Sequence, residues 1–148
     1  MKMRLISCAA ALVLAAAPVH AAPADAGAER VVDAFHDALT NGDAAAALSC
    51  LDDTVQIYEQ GWVEHTKADY ASAHLPADVK FAAATKSSRT ARSADVVGDL
   101  AYVSSEGRTT GSFEGKPVNS ITLETMILRR TDSGWRIVHI HWSSRKPS

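Results

Sequence analysis

From Phe81 to the C-terminus the chain reads as long extended segments broken by only three short turn signals, and this constrains the fold more than any other feature. Phe81–Val97 is one extended run, bent near Ser87-Ser88. Gly98-Asp99 is a two-residue hairpin signal, because both positions accept a positive φ. Leu100–Thr110 returns, Gly111–Pro117 turns, Val118–Arg130 goes out and Trp135–Ser143 comes back. Strands joined this closely can only pair antiparallel, since a parallel pair needs a long crossover.

The first half reads differently. Ala28, Val31, Val32, Phe35 and Leu39 follow helical spacing, which predicts an amphipathic helix over 27–40. Asn41-Gly42 stops it, and Asp43 caps a second, Ala-rich helix ending near Leu51. Val55 and Ile57 alternate with polar neighbours in a strand over Thr54–Glu59, broken by Gln60-Gly61. Thr66-x-x-Asp69 resembles a capping box, starting a third helix that runs to His74 and is closed by Pro76. Helix, helix, strand, helix and meander make an α+β architecture, with the helices packed on one face of a curved antiparallel sheet.

At 148 residues, length allows one domain of ordinary size. Residues 1–21 stand apart from it. Lys2 and Arg4, the apolar run Leu5–Ala17, Pro18 and the small-x-small exit Val19-His20-Ala21 describe a cleavable signal peptide, cut after Ala21. The expected location is periplasmic or secreted. Removing Lys2 and Arg4 from 15 basic residues leaves 13 against 17 acids, a formal charge of −4. That charge argues against a nucleic-acid partner and against an anionic membrane once the leader is gone. Cys50 is then the only cysteine, so no intrachain disulfide forms, and its apolar helical surroundings suit packing better than reactivity.

Phe35-His36, Asn41-Gly42-Asp43, Leu51-Asp52-Asp53 and the terminal Gly134–Ser143 strand resemble the SnoaL-like branch of the nuclear transport factor 2-like superfamily. The ending is also similar to the association domain of calcium/calmodulin-dependent protein kinase. The resemblance covers residues 27–144, and its final strand is its most specific part. It implies a cone-shaped α+β barrel with an internal pocket between helices and sheet, and commonly a homodimer through the outer sheet face. It does not imply one activity, because members include isomerases, cyclases, hydrolases, ligand binders and assembly modules.

Hairpin register decides which side chains meet. Asp132-Ser133-Gly134 suits a three-residue loop, which sets Thr131 opposite Trp135, Leu128 opposite Val138, Met126 opposite Ile140 and Glu124 opposite Trp142. The other face then carries Ile127 with His139, Thr125 with His141 and Leu123 with Ser143. A two-residue turn would instead set Glu124 against His141 as an acid–base dyad. The resemblance assigns the Glu124–Trp142 face to the pocket; the plainer reading is a glutamate near a strand end touching solvent. Gly98-Asp99 sets Tyr102 against Asp95, Ser104 against Ser93 and Glu106 against Ala91, and the resemblance puts Tyr102 and Glu106 inside.

The candidate ligand-binding set is therefore Tyr58, Trp62, His74, Tyr102, Glu106, Glu124 and Trp142, with Tyr70 beside Tyr58 and Trp62 in an aromatic lip. His74 is placed at a helix C-terminus, a position that the resemblance turns toward the cone; His36 is a half-exposed surface histidine and His65 a loop residue. No phosphate-binding glycine loop, nucleophile elbow or CxxC pair occurs. Neither the carboxylate base with Tyr/Asp pair of ketosteroid isomerases nor the Asp-Arg-Asp set of epoxide hydrolases can be assembled. The leading expectation is an exported homodimer that binds a small, partly apolar organic ligand without a cofactor. The alternatives are an isomerase- or lyase-type enzyme using His74 with Glu124 or Glu106, and a pure interaction module. His139 and His141 are expected in a subunit interface; a His-x-His metal site is the alternative, short of third and fourth ligands.

Overall fold

The computed structural model describes residues 26–148; the expected leader and its cleavage point lie outside the described residues. Chain order is α1 (Ala26–Thr40), α2 (Ala44–Cys50), β1 (Leu51–Glu59), β2 (Trp62–Glu64), α3 (Lys67–Ser72), α4 (Leu75–Ala84), β3 (Thr85–Val97), β4 (Leu100–Phe113), β5 (Lys116–Thr131) and β6 (Gly134–Arg145). The six strands form one unclosed curved sheet in the order β2-β1-β6-β5-β4-β3. Every pairing is antiparallel except β1 with β6, which is parallel and makes the sheet mixed.

The helices form where the sequence marks them, with one exception. Ala28, Val32, Phe35, Ala38 and Leu39 give α1 its buried stripe. Gly42 ends it at φ 77°, and the Asp43 carboxylate caps α2 by accepting from Ala46 N–H at 2.9 Å. Thr66 caps α3, accepting from Asp69 N–H at 3.1 Å. Pro76 does not close a helix. It sits in the first turn of α4, where its missing N–H has no intrahelical partner to lose. The extended segment therefore begins at Thr85 rather than Phe81, and Asp78 lies on a helix.

The last hairpin combines both registers open to the sequence. Thr131 faces Gly134 across a two-residue turn, and Leu128 faces Ile137. A bulge at Val138 then shifts the ladder by one residue. Beyond it Ile127 faces His139, Met126 faces Ile140 and Glu124 faces Trp142. The bulge keeps Trp135, Ile137 and Ile140, all buried, on one side of the strand.

Two rungs cross the inner face of the sheet. Ala94, Val103, Met126, Ile140 and Ile57 form an apolar rung that ends at Glu64. Each of its fully buried members, such as Met126 and Ile140, stabilises the fold by roughly 1.5–3 kcal/mol. Two residues along each strand lies the next rung: Arg92, Ser105, Glu124, Trp142, Glu59 and Trp62. It is polar and aromatic from edge to edge, and it carries the site.

Candidate functional site

At the β1–β2 end of this rung lies a cleft of about 230 Å³. Gln60 (φ 49°) and Gly61 (φ 89°) make the tight turn that folds β2 back on β1 and sets Trp62 across from Glu59. Trp62 and Trp142 form aromatic walls, and Ile57 supplies an apolar floor. Tyr70 and Asp78 enter from α3 and α4, and His74 from the join between them.

The polar groups of the cleft are paired unequally. Buried Tyr70 donates its hydroxyl to Asp78 Oδ2 at 2.8 Å. His74 Nδ1 pairs with the carboxylate of buried Glu64. Burial pushes the Asp78 carboxyl above the usual range, only partly offset by the Tyr70 hydrogen bond and the His74 charge. Burial also pushes Glu59 up, and the Asp78 charge adds to it, with His74 opposing. Tyr70 is raised by burial and by the Asp78 charge, so its proton stays on. The cleft thus offers two carboxyls of raised proton affinity, Glu59 and Asp78, a buried phenol, and an imidazole paired with the third carboxyl, Glu64.

Behind Trp142, Glu124 is 9% exposed. Its Oε2 accepts from Trp142 Nε1 at 2.7 Å and lies 2.7 Å from His36 Nε2 on α1. Burial pushes this carboxyl up, but the His36 hydrogen bond and charge, the Trp142 hydrogen bond and the Arg92 charge outweigh it, and the net shift is down.

Of the sequence-predicted residues, the cleft brings together Trp62, His74 and Trp142, with Tyr70 in its wall. Glu124 shares their face but sits beyond the indole. Tyr58, Tyr102 and Glu106 do not join them. Inward Ile57 and Glu59 force Tyr58 outward, where it packs edge-on against His139 at 5.1 Å. The expected pairing of Tyr102 with Asp95 and Glu106 with Ala91 is present, but the face is reversed. Ser105 pairs with inward Glu124, so Tyr102 and Glu106 must point out. His74 stands at the N-terminus of α4 rather than in the third helix. His36 is not merely a surface residue, since it reaches Glu124. The Glu124–His141 dyad does not form.

Glu59, Glu64 and Asp78 are the site residues missing from the sequence reading. Glu59 was within reach, because it continues the inward alternation of Val55 and Ile57. Asp78 was hidden by reading Pro76 as a stop.

A shallower hollow of about 450 Å³ between α1, α2 and the β5–β6 turn includes Cys50. Burial pushes its thiol up, which suits packing. On the outer face, His139 and His141 flank Ile127 and Thr125. Among the described residues no group of three or more His, Cys, Asp or Glu is arranged to hold a metal.

No curated protein matches the sequence. Among solved structures, a candidate ketosteroid isomerase from Shewanella frigidimarina NCIMB 400 is 36% identical, with a TM-score of 0.77 over 80% of this chain and 96% of that one. The calcium/calmodulin-dependent protein kinase II hub of S. rosetta is 22% identical, with a TM-score of 0.71 over 86% of this chain and 100% of that one. A nuclear transport factor 2-like protein with a cystatin-like fold from Novosphingobium aromaticivorans is 17% identical, with a TM-score of 0.69 over 83% and 82%. The family model described as the SnoaL-like domain matches residues 28–146. With that match spanning nearly all of the described residues, this chain belongs to the SnoaL-like family and carries the cystatin-like architecture of nuclear transport factor 2-like proteins.

Proposed function

We propose that the cleft binds a small, partly apolar organic molecule bearing a carbonyl group and moves a proton on it, as an isomerase or lyase does. One observation carries this reading. Glu59 and Asp78 face the same cleft, both with raised proton affinity, beside a buried tyrosine and between two tryptophans. A base works best when its pKa approaches the working pH, and burial moves both carboxyls in that direction. Glu59 is the acceptor of the substrate proton. Asp78, steadied by Tyr70, hydrogen-bonds the carbonyl oxygen as charge develops there. The ring faces of Trp62 and Trp142 take the apolar part. The described candidate isomerase among the solved structures supports this class of chemistry.

The test is hydrogen–deuterium exchange next to the carbonyl of small ketones and enones in D₂O, followed by NMR. Glu59→Gln is expected to slow exchange by about 100-fold, the lower range for a positioned general base. Exchange equal in wild type and Glu59→Gln overturns the catalytic reading. Thermal stabilisation by the same compounds without exchange leaves a binding protein. No stabilisation by any of them favours a pure interaction module.

Export and dimerisation belong to the same proposal. The leader-like residues 1–21 direct the chain to the periplasm or outside the cell. The outer face presents Tyr58, Tyr102 and Leu123, which are 39%, 39% and 50% exposed, around His139 and His141. Such a face suits a second copy of this chain. Burial and the neighbouring His141 charge both lower the pKa of His139. The neutral ring is the one that packs, so protonation at low pH opposes association. Sedimentation at about pH 7.5 and about pH 5, either side of the histidine titration, is expected to show dimer giving way to monomer. A dimer that persists at low pH, with zinc bound stoichiometrically and lost on mutating His139, overturns the interface reading.

A further inference from the structure

Trp142 is a wall of the cleft, yet the groups that orient it lie outside the cleft. Its indole N–H donates to Glu124 Oε2 at 2.7 Å. The same oxygen lies 2.7 Å from His36 Nε2. Phe35, the residue before His36, stacks on the indole with centroids 6.2 Å apart and planes at 22°. Two consecutive residues of α1 therefore hold one tryptophan, Phe35 by its face and His36 through a carboxylate.

The rest of the rung reinforces this grip. Glu29, Asp33 and His36 follow i, i+4, i+7 spacing, so one side of α1 lies over the rung. Arg92, whose side chain is 11% exposed, bonds Asp33 at 2.9 Å and approaches Glu29 at 3.7 Å. Its charge also favours ionised Glu124. Glu124 Oε1 is buried and has no hydrogen-bond partner among the described residues, so Oε2 carries the pairing of this carboxylate. A buried carboxylate with few donors depends strongly on each one.

We infer that His36 is a positioning residue for the cleft: through Glu124 it fixes the Trp142 indole, and with it the shape of the ligand-facing wall. The inference rests on the cleft being the binding site. His36 itself, 43% exposed on the far side of Glu124, is absent from the lining of the cleft. Substituting it acts on ligand binding only by releasing the tryptophan.

The test reads the three indole N–H resonances of ¹⁵N-labelled protein, with Trp142 assigned from Trp142→Phe. 2-Naphthol serves as the binding probe. Glu124→Gln is expected to move the Trp142 resonance upfield and speed its exchange with water. His36→Ala does the same to a smaller degree, whereas His36→Gln, which retains an N–H at that distance, restores both. 2-Naphthol binding should weaken about tenfold in His36→Ala and recover in His36→Gln, the size expected for losing one charge-assisted hydrogen bond. Glu106→Gln, on the outer face, is the control and changes neither readout. Equal resonances in wild type, Glu124→Gln and His36→Ala overturn the inference, as does equal loss of binding in His36→Ala and His36→Gln. Should 2-naphthol leave every resonance of the wild type in place, the reading of the cleft as the binding site fails. The clamp is then decided by the resonance series alone. Glu124→Gln that does not fold is replaced by the two His36 variants, whose comparison suffices.

Discussion

Two glutamates flank Trp142 on the same rung, Glu124 from β5 and Glu59 from β1, and their carboxyls shift in opposite directions. Burial raises both. Glu124 has an imidazole and an indole N–H within 2.7 Å and the Arg92 charge nearby. Glu59 has a second carboxyl, Asp78, as its strongest charged neighbour. Burial alone therefore does not decide what a carboxylate does here; the supply of donors does. The supplied glutamate is tied to its neighbours, and the unsupplied one is the group to which the proposed function gives the proton transfer.

The sharpest way to break this contrast is Glu124→Ala. It strips the acceptor from a partly buried indole N–H and an imidazole and opens a small void. A loss of about 2 kcal/mol is expected, the upper range for removing a buried acceptor of charge-assisted hydrogen bonds whose partners are only partly buried. Glu59→Ala should cost less than about 1 kcal/mol, because Glu59 gives up no comparable partner among the described residues. Urea unfolding of both variants measures the difference, and equal losses refute the division of roles.

Removing one hydroxyl sharpens the comparison further. Tyr70→Phe keeps the buried ring but takes away the side-chain donor that Asp78 Oδ2 has among the described residues. Stability should fall by about 1 kcal/mol, the net worth of one such hydrogen bond. Asp78 should move still higher, since burial then acts with less opposition. The alkaline limb of any pH–rate profile is expected to shift with it; an unmoved limb removes Asp78 from the mechanism.

Much of this fold was legible in the sequence, and the reasons differ by element. The α1 stripe and the Gly98-Asp99 hairpin follow from periodicity and turn chemistry, which are local. The Glu124–Trp142 pairing is the one expected from a three-residue loop, but the structure reaches it by the alternative two-residue turn followed by the Val138 bulge, for which the sequence carries no local signal. Pro76 misled because proline both ends helices and begins them, and only the chain beyond it tells which. The reversed face of β4 has a different cause. The Gly98-Asp99 hairpin fixes which residues of β3 and β4 meet but not which face is inward; the pairing of Ser105 with Glu124 across β4 and β5 decides that, and it turns Tyr102 and Glu106 outward. The site depended on the parallel β1–β6 pairing, which brings Glu59 beside Trp142. No turn joins those strands, so no local signal announces that contact.

The smallest effect comes from Glu59→Gln, and its sign is the most telling. A folded-state pKa raised above the unfolded value means that the native protein holds its proton longer. Stability then falls as pH rises from the ordinary glutamate range through the raised value. For Glu124 the folded value is lowered, so its contribution is present above the ordinary range and is lost as pH falls through the folded value. The two flanks of Trp142 therefore press on stability from opposite ends of the pH scale. Glu59→Gln removes the penalty on the neutral side and should raise stability at pH about 8 by only about 0.5 kcal/mol, because Glu59 is partly open to solvent and its repulsion is screened. At about pH 4, below the ordinary glutamate value, wild type and variant should coincide. Urea midpoints across that range measure it. A variant less stable than wild type at the higher pH would show that ionised Glu59 has a donor after all, and the contrast between the two glutamates would fall with it.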